Sequence, residues 1–364
     1  MDNLNKARKD IEEIDIRIAK LFEERMERSH DIAVFKKERG IPIEDGALEE
    51  ELLREKAEVV SNPVVKGYYV NFLKSAVDLS KKYQHYLAEG AKIAYSGVPG
   101  AFANMAAKKI FPDGEAVPYS DFKEAYEAVI SGDCDCAVLP IENSFAGDVG
   151  QVMDIGYSGP LYINGIYELH IVQNLLGAEC AEIGKLKKVI SHPQALAQCA
   201  TYIKEHGLIK EECANTAAAA KYVAGLNARD VAAIASEETA KLYGLKILEK
   251  SINEDINNTT RFAVFSRVPN PVRREDNRFI MFFTVKHEAG TLAKVISILA
   301  ENGFNLNALK SRPTRESGWE YYFYVEGEGD INSEKGTEVC EMVKNFCRNF
   351  KLAGTFKEVI SLKA

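Results

Sequence analysis

Ile11, Ile14, Ile18, Leu21, Arg25, Arg28 and Ile32 recur at intervals of three and four, the spacing of one buried helix face. The pattern predicts a helix from about Asn3 to Arg39, stopped at Gly40 with Pro42 just beyond. A second helix covers roughly Ala47 to Val60. A third takes Asn62 as its cap and Pro63 as its first residue, and continues to about Leu87. The first helix far exceeds the usual length of about ten to fourteen residues. Its apolar stripe needs partners, so residues 1–88 read as an all-α helical bundle or an intertwined dimer.

The period changes after Glu89-Gly90. A short apolar strand is expected at 92–97, a helix at 102–111, a turn at Pro112-Asp113-Gly114 and a strand at 116–120. Asp121 with Glu124 resembles a capping pair for a helix at 122–131, which leads to a buried strand at 136–141. Alternation resumes at 187–191, 193–206, 216–226, 231–235 and 236–243, and a strand at 260–267 closes the region. This predicts a parallel α/β sheet in two lobes over 91–268. Residues 268–277, with Pro269, Pro271 and a run of charges, have a linker composition. The tail, 278–364, reads strand 278–286, helix 290–302, strand 304–312, strand 319–326, helix 333–348 and strand 355–361, the βαββαβ order of a ferredoxin-like α+β sandwich.

The chain has 364 residues, enough for two or three domains, and 46% of them are hydrophobic, enough for sizeable cores. A formal net charge of −8 argues against a general nucleic-acid partner, so an anionic ligand must be met by local positive charge. Seven scattered cysteines show no metal-ligand spacing and suit a reducing, cytoplasmic setting. The first residues lack a signal-peptide core, and no apolar run is long enough to cross a bilayer. Neither a metal nor a cofactor is expected.

Two arginines, Arg25 and Arg28, stand on the apolar seam, where a cation is costly unless an anion neutralises it. Lys36 follows Arg25 by 36 − 25 = 11 residues, about three turns, so both project on nearly one face. Arg8 precedes Arg25 by 25 − 8 = 17 residues, roughly 25 Å of straight helix. If Arg8 joins the same pocket it comes from a second copy, so at least a homodimer is expected. Ser80 and Gln84 share a face of the third helix, and Asp45 and Glu49 open the second. Each residue alone reads equally as ordinary surface. As a set, Arg8, Arg25, Lys36, Asp45, Glu49, Ser80 and Gln84 resemble the all-helical chorismate mutases across nearly all of residues 1–88. The resemblance implies that Arg8 and Arg25 hold the two carboxylates of chorismate, that Lys36 and Gln84 act on its ether oxygen, and that Asp45, Glu49 and Ser80 contact substrate. The family often has arginine just before the glutamate. Here that position is Leu48.

Four segments stand out in the α/β region. Ser96-Gly97-Val98-Pro99-Gly100-Ala101-Phe102 is a glycine-rich turn whose N–H groups can hold an anion, without a dinucleotide fingerprint or P-loop lysine. Pro140-Ile141-Glu142-Asn143-Ser144 ends a buried strand, where α/β sheets place ligands. Ser191-His192-Pro193-Gln194 sits at a strand-to-helix junction, with His192 as a cap or a site residue. Asn258-Thr259-Thr260-Arg261-Phe262 opens the closing strand, as ordinary strand or site. In this order and spacing, with Asn215-Thr216-Ala217 and the stretch Ala232 to Gly244, they resemble prephenate dehydratase over about 91–268. The resemblance implies a two-lobed fold like that of periplasmic binding proteins, with the site between the lobes. It implies Thr260 as the donor to the departing hydroxyl, Arg261 as a carboxylate clamp and Phe262 beside the ring. Glu142, Asn143, Ser144, Gln194 and Thr216 would orient prephenate.

Residues 278–364 resemble an ACT regulatory domain through Gly290-Thr291-Leu292, Asn305-Leu306 and Ser311-Arg312-Pro313. The family's usual alanine is Thr291 here, and its glutamate before Ser-Arg-Pro is Lys310. The resemblance implies phenylalanine as effector. Together the three regions resemble the bifunctional chorismate mutase/prephenate dehydratase (P-protein) family of phenylalanine synthesis. The alternatives are arogenate as the substrate and, from another class, a non-catalytic two-lobed ligand-binding or sensor protein.

Overall fold

The computed structural model describes residues 2–271, 275–286, 288–314 and 320–362, and the side chains of Asp2, Ala47, Leu48 and Glu50 lie outside that description. The chain divides into two compact units, Met1–Ala91 and Lys92–Ala364.

The first unit is three helices, Asp2–Arg39, Gly46–Ala57 and Pro63–Glu89. Gly40, at φ +63, takes the left-handed turn that ends the first. The Asn62 side chain accepts from Val64 N and Val65 N and so fixes the start of the third. The expected buried seam is not formed within one chain. Ile11 is 57% and Leu21 62% exposed, and Ile14, Ile18 and Ile32 are exposed as well. Arg28 lies in solvent beside Asp31 and Glu27. The buried positions of the first helix are Ser29 and Ala33, one turn apart, because only its second half meets the third helix.

In the second unit the first lobe holds a seven-stranded sheet. Its order is Ile360–Leu362, Tyr162–His170, Thr259–Ser266, Cys136–Asn143, Lys92–Ser96 and Glu115–Tyr119, with the two-residue strand Gly147–Asp148 on Cys136–Asn143. The parallel sheet expected from the alternation is a mixed one. Strands 92–96, 115–119 and 136–143 run parallel, but Thr259–Ser266 is antiparallel to both neighbours. The reason is topological: the chain leaves for the second lobe after His170 and returns from it before Thr259. That lobe has five strands, ordered Lys246–Glu249, Asn174–Gly177, Val231–Ala235, Lys188–Ser191 and Ile209–Glu212. The two crossing segments pair with each other through Ile171 N to Asn258 O (2.8 Å) and Ile252 N to Gln173 O (2.8 Å).

The tail forms a four-stranded antiparallel sheet ordered Asn305–Pro313, Tyr321–Glu328, Arg278–Val285 and Cys347–Phe356, with helices Thr291–Glu301 and Glu334–Lys344. This is the expected βαββαβ arrangement. The second helix stops at Lys344 rather than near 348, and the last strand begins at Cys347, since pairing along Arg278–Val285 overrides local helix propensity. The sandwich shares a core with the first lobe, where Ile280, Phe282, Tyr322, Tyr324 and Ala353 pack with Ile163, Ile166 and Phe265. Gly354 lies so close to Ile163 that a Cβ there would collide with the Ile163 carbonyl. Ile360–Leu362 then pairs parallel with Tyr162–His170, joining the first lobe's sheet.

Candidate functional sites

In the helical unit, Arg25 Nη1 donates to Ala76 O at 2.8 Å and, at short range, to Ser80 Oγ. Burial pulls its pKa down, and among the described residues no carboxylate pairs with it. Ser80 and Gln84 are buried on the facing helix, and Gln84 Oε1 has no hydrogen-bond partner among the described residues. Lys36 Nζ donates to Ile43 O at 2.6 Å, holding the loop that leads into the second helix. Glu49 pairs with Lys81 at 2.8 Å, and Asp45 O accepts from Glu49 N at 3.0 Å. Arg25 therefore faces Ser80, one turn from Gln84 on the third helix, with Lys36 further along the first helix and Glu49 on the second. Arg8 is exposed on the uncovered part of the first helix. The side chain of Leu48 is outside the described residues.

In the second unit a cavity of about 360 Å³ opens between the lobes. All four segments singled out above reach it, through Gly97 and Phe102, Asn143, Gln194, and Thr260 with Phe262, and Thr216 joins them. Asn143 organises the floor. Its Nδ2 lies 2.9 Å from Thr260 Oγ1 and 2.8 Å from Asn258 Oδ1, while its Oδ1 accepts from Gln194 Nε2 (3.0 Å) and Ala146 N (2.9 Å). Thr260 and Asn143 are cross-strand partners, which puts the hydroxyl at the carboxyl end of the central strand. His192 Nδ1 accepts from Gln194 N and caps the helix behind it, and burial lowers its pKa. His192 both caps and lines the cavity. Ser144 does not line it: its Oγ accepts from Thr259 N.

No Asp, Glu, Lys or Arg lines this cavity among the described residues. The helices Phe102–Ile110 and Thr216–Leu226 instead begin at its wall, each offering unpaired N–H groups and the positive end of its dipole. Gly97, at φ +114, and Gly100, at φ +88, shape the first of these turns. Among the wall residues that escaped the sequence reading are Gln173 and Gln198, joined by a 3.2 Å hydrogen bond, with Gln173 Oε1 lacking a partner among the described residues. Gln173 sits in the lobe-crossing segment, where no periodicity marks it. Gln198 lies on a helical face that reads as packing.

Arg261 and Glu142 lie elsewhere. Side chains alternate across a strand, so with Thr260 and Phe262 at the cavity, Arg261 points to the other face. The expected carboxylate clamp is there the hub of an ion-pair cluster, with Glu142 at 3.0 Å and Glu326, from the tail, at 2.7 Å. Lys310 Nζ meets Glu142 at 2.7 Å and Asp148 at 2.6 Å. Burial pushes the Glu142 carboxyl up, but hydrogen bonds from Lys310 and Arg261 outweigh it and hold the pKa below the usual range. Arg312 likewise pairs with Asp154 of the first lobe at 2.9 Å. The remaining tail motif residues are spread out. Gly290, at φ +83, precedes a helix on which Thr291 is buried with its hydroxyl donating to Glu288 O. Leu292 packs on the tail core with Leu306, while Asn305, Ser311 and Pro313 lie on the exposed side of an edge strand.

Comparison with known proteins matches these regions in order. The chorismate mutase type II family model matches residues 7–85, prephenate dehydratase residues 93–270 and the ACT domain residues 279–339. The bifunctional chorismate mutase/prephenate dehydratase of Buchnera aphidicola is 31% identical over 96% of this chain and 95% of its own. The arogenate dehydratase/prephenate dehydratase 2 of Arabidopsis thaliana is 37% identical over 73% of this chain and 72% of its own. The crystal structure of a prephenate dehydratase from Staphylococcus aureus superposes with a TM-score of 0.65 at 26% identity, covering 73% of this chain and 99% of that one. With its three regions matched in sequence and a relative aligned nearly end to end, the chain belongs to the bifunctional chorismate mutase/prephenate dehydratase family.

Proposed function

We propose that this enzyme rearranges chorismate to prephenate in its helical unit and converts prephenate to phenylpyruvate between the lobes of the second, two consecutive steps toward phenylalanine. The observation that carries the reading is the neutral cavity around Thr260. Asn143 donates to Thr260 Oγ1, so the threonine accepts there and its own hydrogen is available to a ligand. A hydroxyl is a weak acid, and Thr260 serves as a hydrogen-bond donor to the departing ring hydroxyl, relaying a proton from solvent. As the ring carboxylate leaves as carbon dioxide, its bonding electrons enter the ring, the C–O bond breaks, and the hydroxide takes up the proton as water. Phe262 packs beside the ring. The ends of helices Phe102–Ile110 and Thr216–Leu226 receive the substrate's charge, with Gln194 and Thr216 orienting it. Ser144 and Glu142 act from behind, through Thr259 and Arg261. The poorly solvated ring carboxylate meets no cation that would stabilise it against loss.

In the helical unit no proton moves and no nucleophile attacks. Arg25 and the Arg8 of a second copy clamp the two carboxylates in a compact conformer. Lys36 and Gln84 donate to the ether oxygen as charge grows on it, and Ser80, Asp45 and Glu49 complete the wall. An intertwined homodimer supplies Arg8 and covers Ile11, Ile14, Ile18 and Leu21, which one chain leaves in solvent. Phenylalanine is the effector, taken up at the edge of the tail sheet near Gly290–Leu292, Asn305–Leu306 and Ser311–Pro313. The seven free thiols suit the cytoplasm, and no described helix is long and apolar enough to cross a membrane. The test is to supply purified protein with chorismate and follow phenylpyruvate with and without phenylalanine. Appearance of phenylpyruvate, suppressed by phenylalanine, is expected. Accumulation of prephenate alone would refute the second step, and turnover of arogenate in preference to prephenate would move the reading toward the plant relatives.

A further inference from the structure

Arg261 has two cavity-lining neighbours in the chain, Thr260 and Phe262, yet its own side chain is committed to the opposite face. There it meets Glu326, a buried carboxylate on strand Tyr321–Glu328 of the ACT module, through two hydrogen bonds, Nη1 to Oε1 at 2.9 Å and Nη2 to Oε2 at 2.7 Å. This fork-to-fork geometry fixes direction as well as distance. The Tyr324 hydroxyl donates to Glu326 at short range, and Glu142 takes a further guanidinium N–H at 3.0 Å. Lys310 in turn holds Glu142.

The backbone at this point is irregular. Thr260 pairs with Asn143 and Arg261 with Glu142, but Phe262 pairs with Pro140, so the ladder slips by one residue between Arg261 and Phe262. The residue left over, Ile141, belongs to Cys136–Asn143, while the closing strand keeps regular pairing with Tyr162–His170 from Thr259 to Val264, so the irregularity lies on the Asn143 side of Thr260. At that slip Arg261, between Thr260 and Phe262, has its side chain clamped by the ACT module, which adds a side-chain anchor where one of the two ladders is interrupted. We propose that Glu326 is a positioning residue for the dehydratase reaction, holding Arg261 so that strand Thr259–Ser266, beside the bulge at Ile141, presents Thr260 to the substrate. The inference rests on the assignment of Thr260 to that reaction. It makes the regulatory module part of the support of the active site, with an effector-responsive sheet gripping the catalytic strand directly.

The alternative is that Glu326 only glues two layers together. Glu326→Gln in the full chain separates the two, with the mutase activity of the same molecule as internal control. A misaimed hydroxyl lowers dehydratase kcat by about tenfold or more with KM nearly unchanged, since small misplacements are costly to turnover. Mutase turnover stays at the wild-type value. Dehydratase kcat within twofold of wild type, or a rise in KM alone, overturns the proposal. Should that variant fold poorly, the double substitution Arg261→Met with Glu326→Leu decides. Apolar replacements of a buried ion pair commonly preserve stability, so depressed kcat in a chain with a wild-type melting profile supports positioning, and normal kcat overturns it. Thr260→Ala keeps the two levels apart. If it leaves turnover intact, the assignment of Thr260 fails. If it abolishes turnover while Glu326→Gln does not, only the role of Glu326 fails.

Discussion

The two sites meet isomeric dianions with opposite electrostatics. The helical unit gathers cations, with Arg25 half-buried against neutral partners, Lys36 on the same helix and Arg8, in the function proposed above, from a second copy. Among the described residues the wall of the cavity between the lobes has no Asp, Glu, Lys or Arg, and helix ends, hydroxyls and amides line it instead. The difference follows from what each reaction does to charge. The rearrangement keeps both carboxylates and spreads charge onto an ether oxygen, so fixed cations stabilise the transition state more than the ground state. The elimination destroys a carboxylate, and a cation beside it would favour the reactant.

That contrast can be broken at several points. Thr260→Ala removes the hydroxyl proposed above to face the leaving group, and dehydratase kcat is expected to fall by about a thousandfold. Mutase activity in the same protein serves as the control. Lys36→Ala is expected to lower mutase kcat/KM by about a hundredfold and to leave turnover of added prephenate unchanged. Raising salt from about 50 mM to about 500 mM screens partly exposed cations, so KM for chorismate should rise several-fold while KM for prephenate moves less than about twofold. Equal salt dependence at the two sites would remove the electrostatic distinction. Gly354→Ala forces a methyl group against the Ile163 carbonyl, and overpacking of this kind costs about 2 kcal/mol. Calorimetry should show the transition of the second unit lowered by a few degrees and that of the helical unit unmoved.

The smallest effect concerns Lys351, which donates to Gly156 O and Gly159 O and whose pKa burial lowers to about 8. Its folded pKa lies below its unfolded one, so between pH 8 and the ordinary lysine range the unfolded state binds more protons. Its destabilising contribution is full below pH 8 and fades as pH rises. Lys351→Met should flatten this slope in denaturant titrations across that range.

Periodic elements were legible in the sequence, and hinge-bound features were not. The helix Thr216–Leu226 and the strand Val231–Ala235 fall where spacing and capping place them, because Asn215 caps the one and an unbroken apolar run marks the other. Residues 145–186 gave no reading. The helix Gly150–Ser158 and the strand Tyr162–His170 carry Gly156 and Gly165 in their interiors, where close packing against neighbouring aromatic rings suits them but local propensity does not. The residue types around Thr260 identified the cavity, yet the direction of Arg261 follows from strand alternation combined with knowing which face the tail covers. The exposure of Ile11 and Leu21 shows the limit from the other side, since periodicity reveals that a face wants cover without saying which chain supplies it.

The pairing of Ile360–Leu362 with Tyr162–His170 separates two strands of one sheet by 360 − 162 = 198 residues. A ribosome adding about 5–20 residues per second delivers the second roughly 10–40 s after the first. For that interval the nascent sheet carries an open edge, the kind of surface that recruits strands from other chains. Yield on expression should therefore depend on how quickly translation finishes, and slow codons placed between these two strands would send more of the product into aggregates.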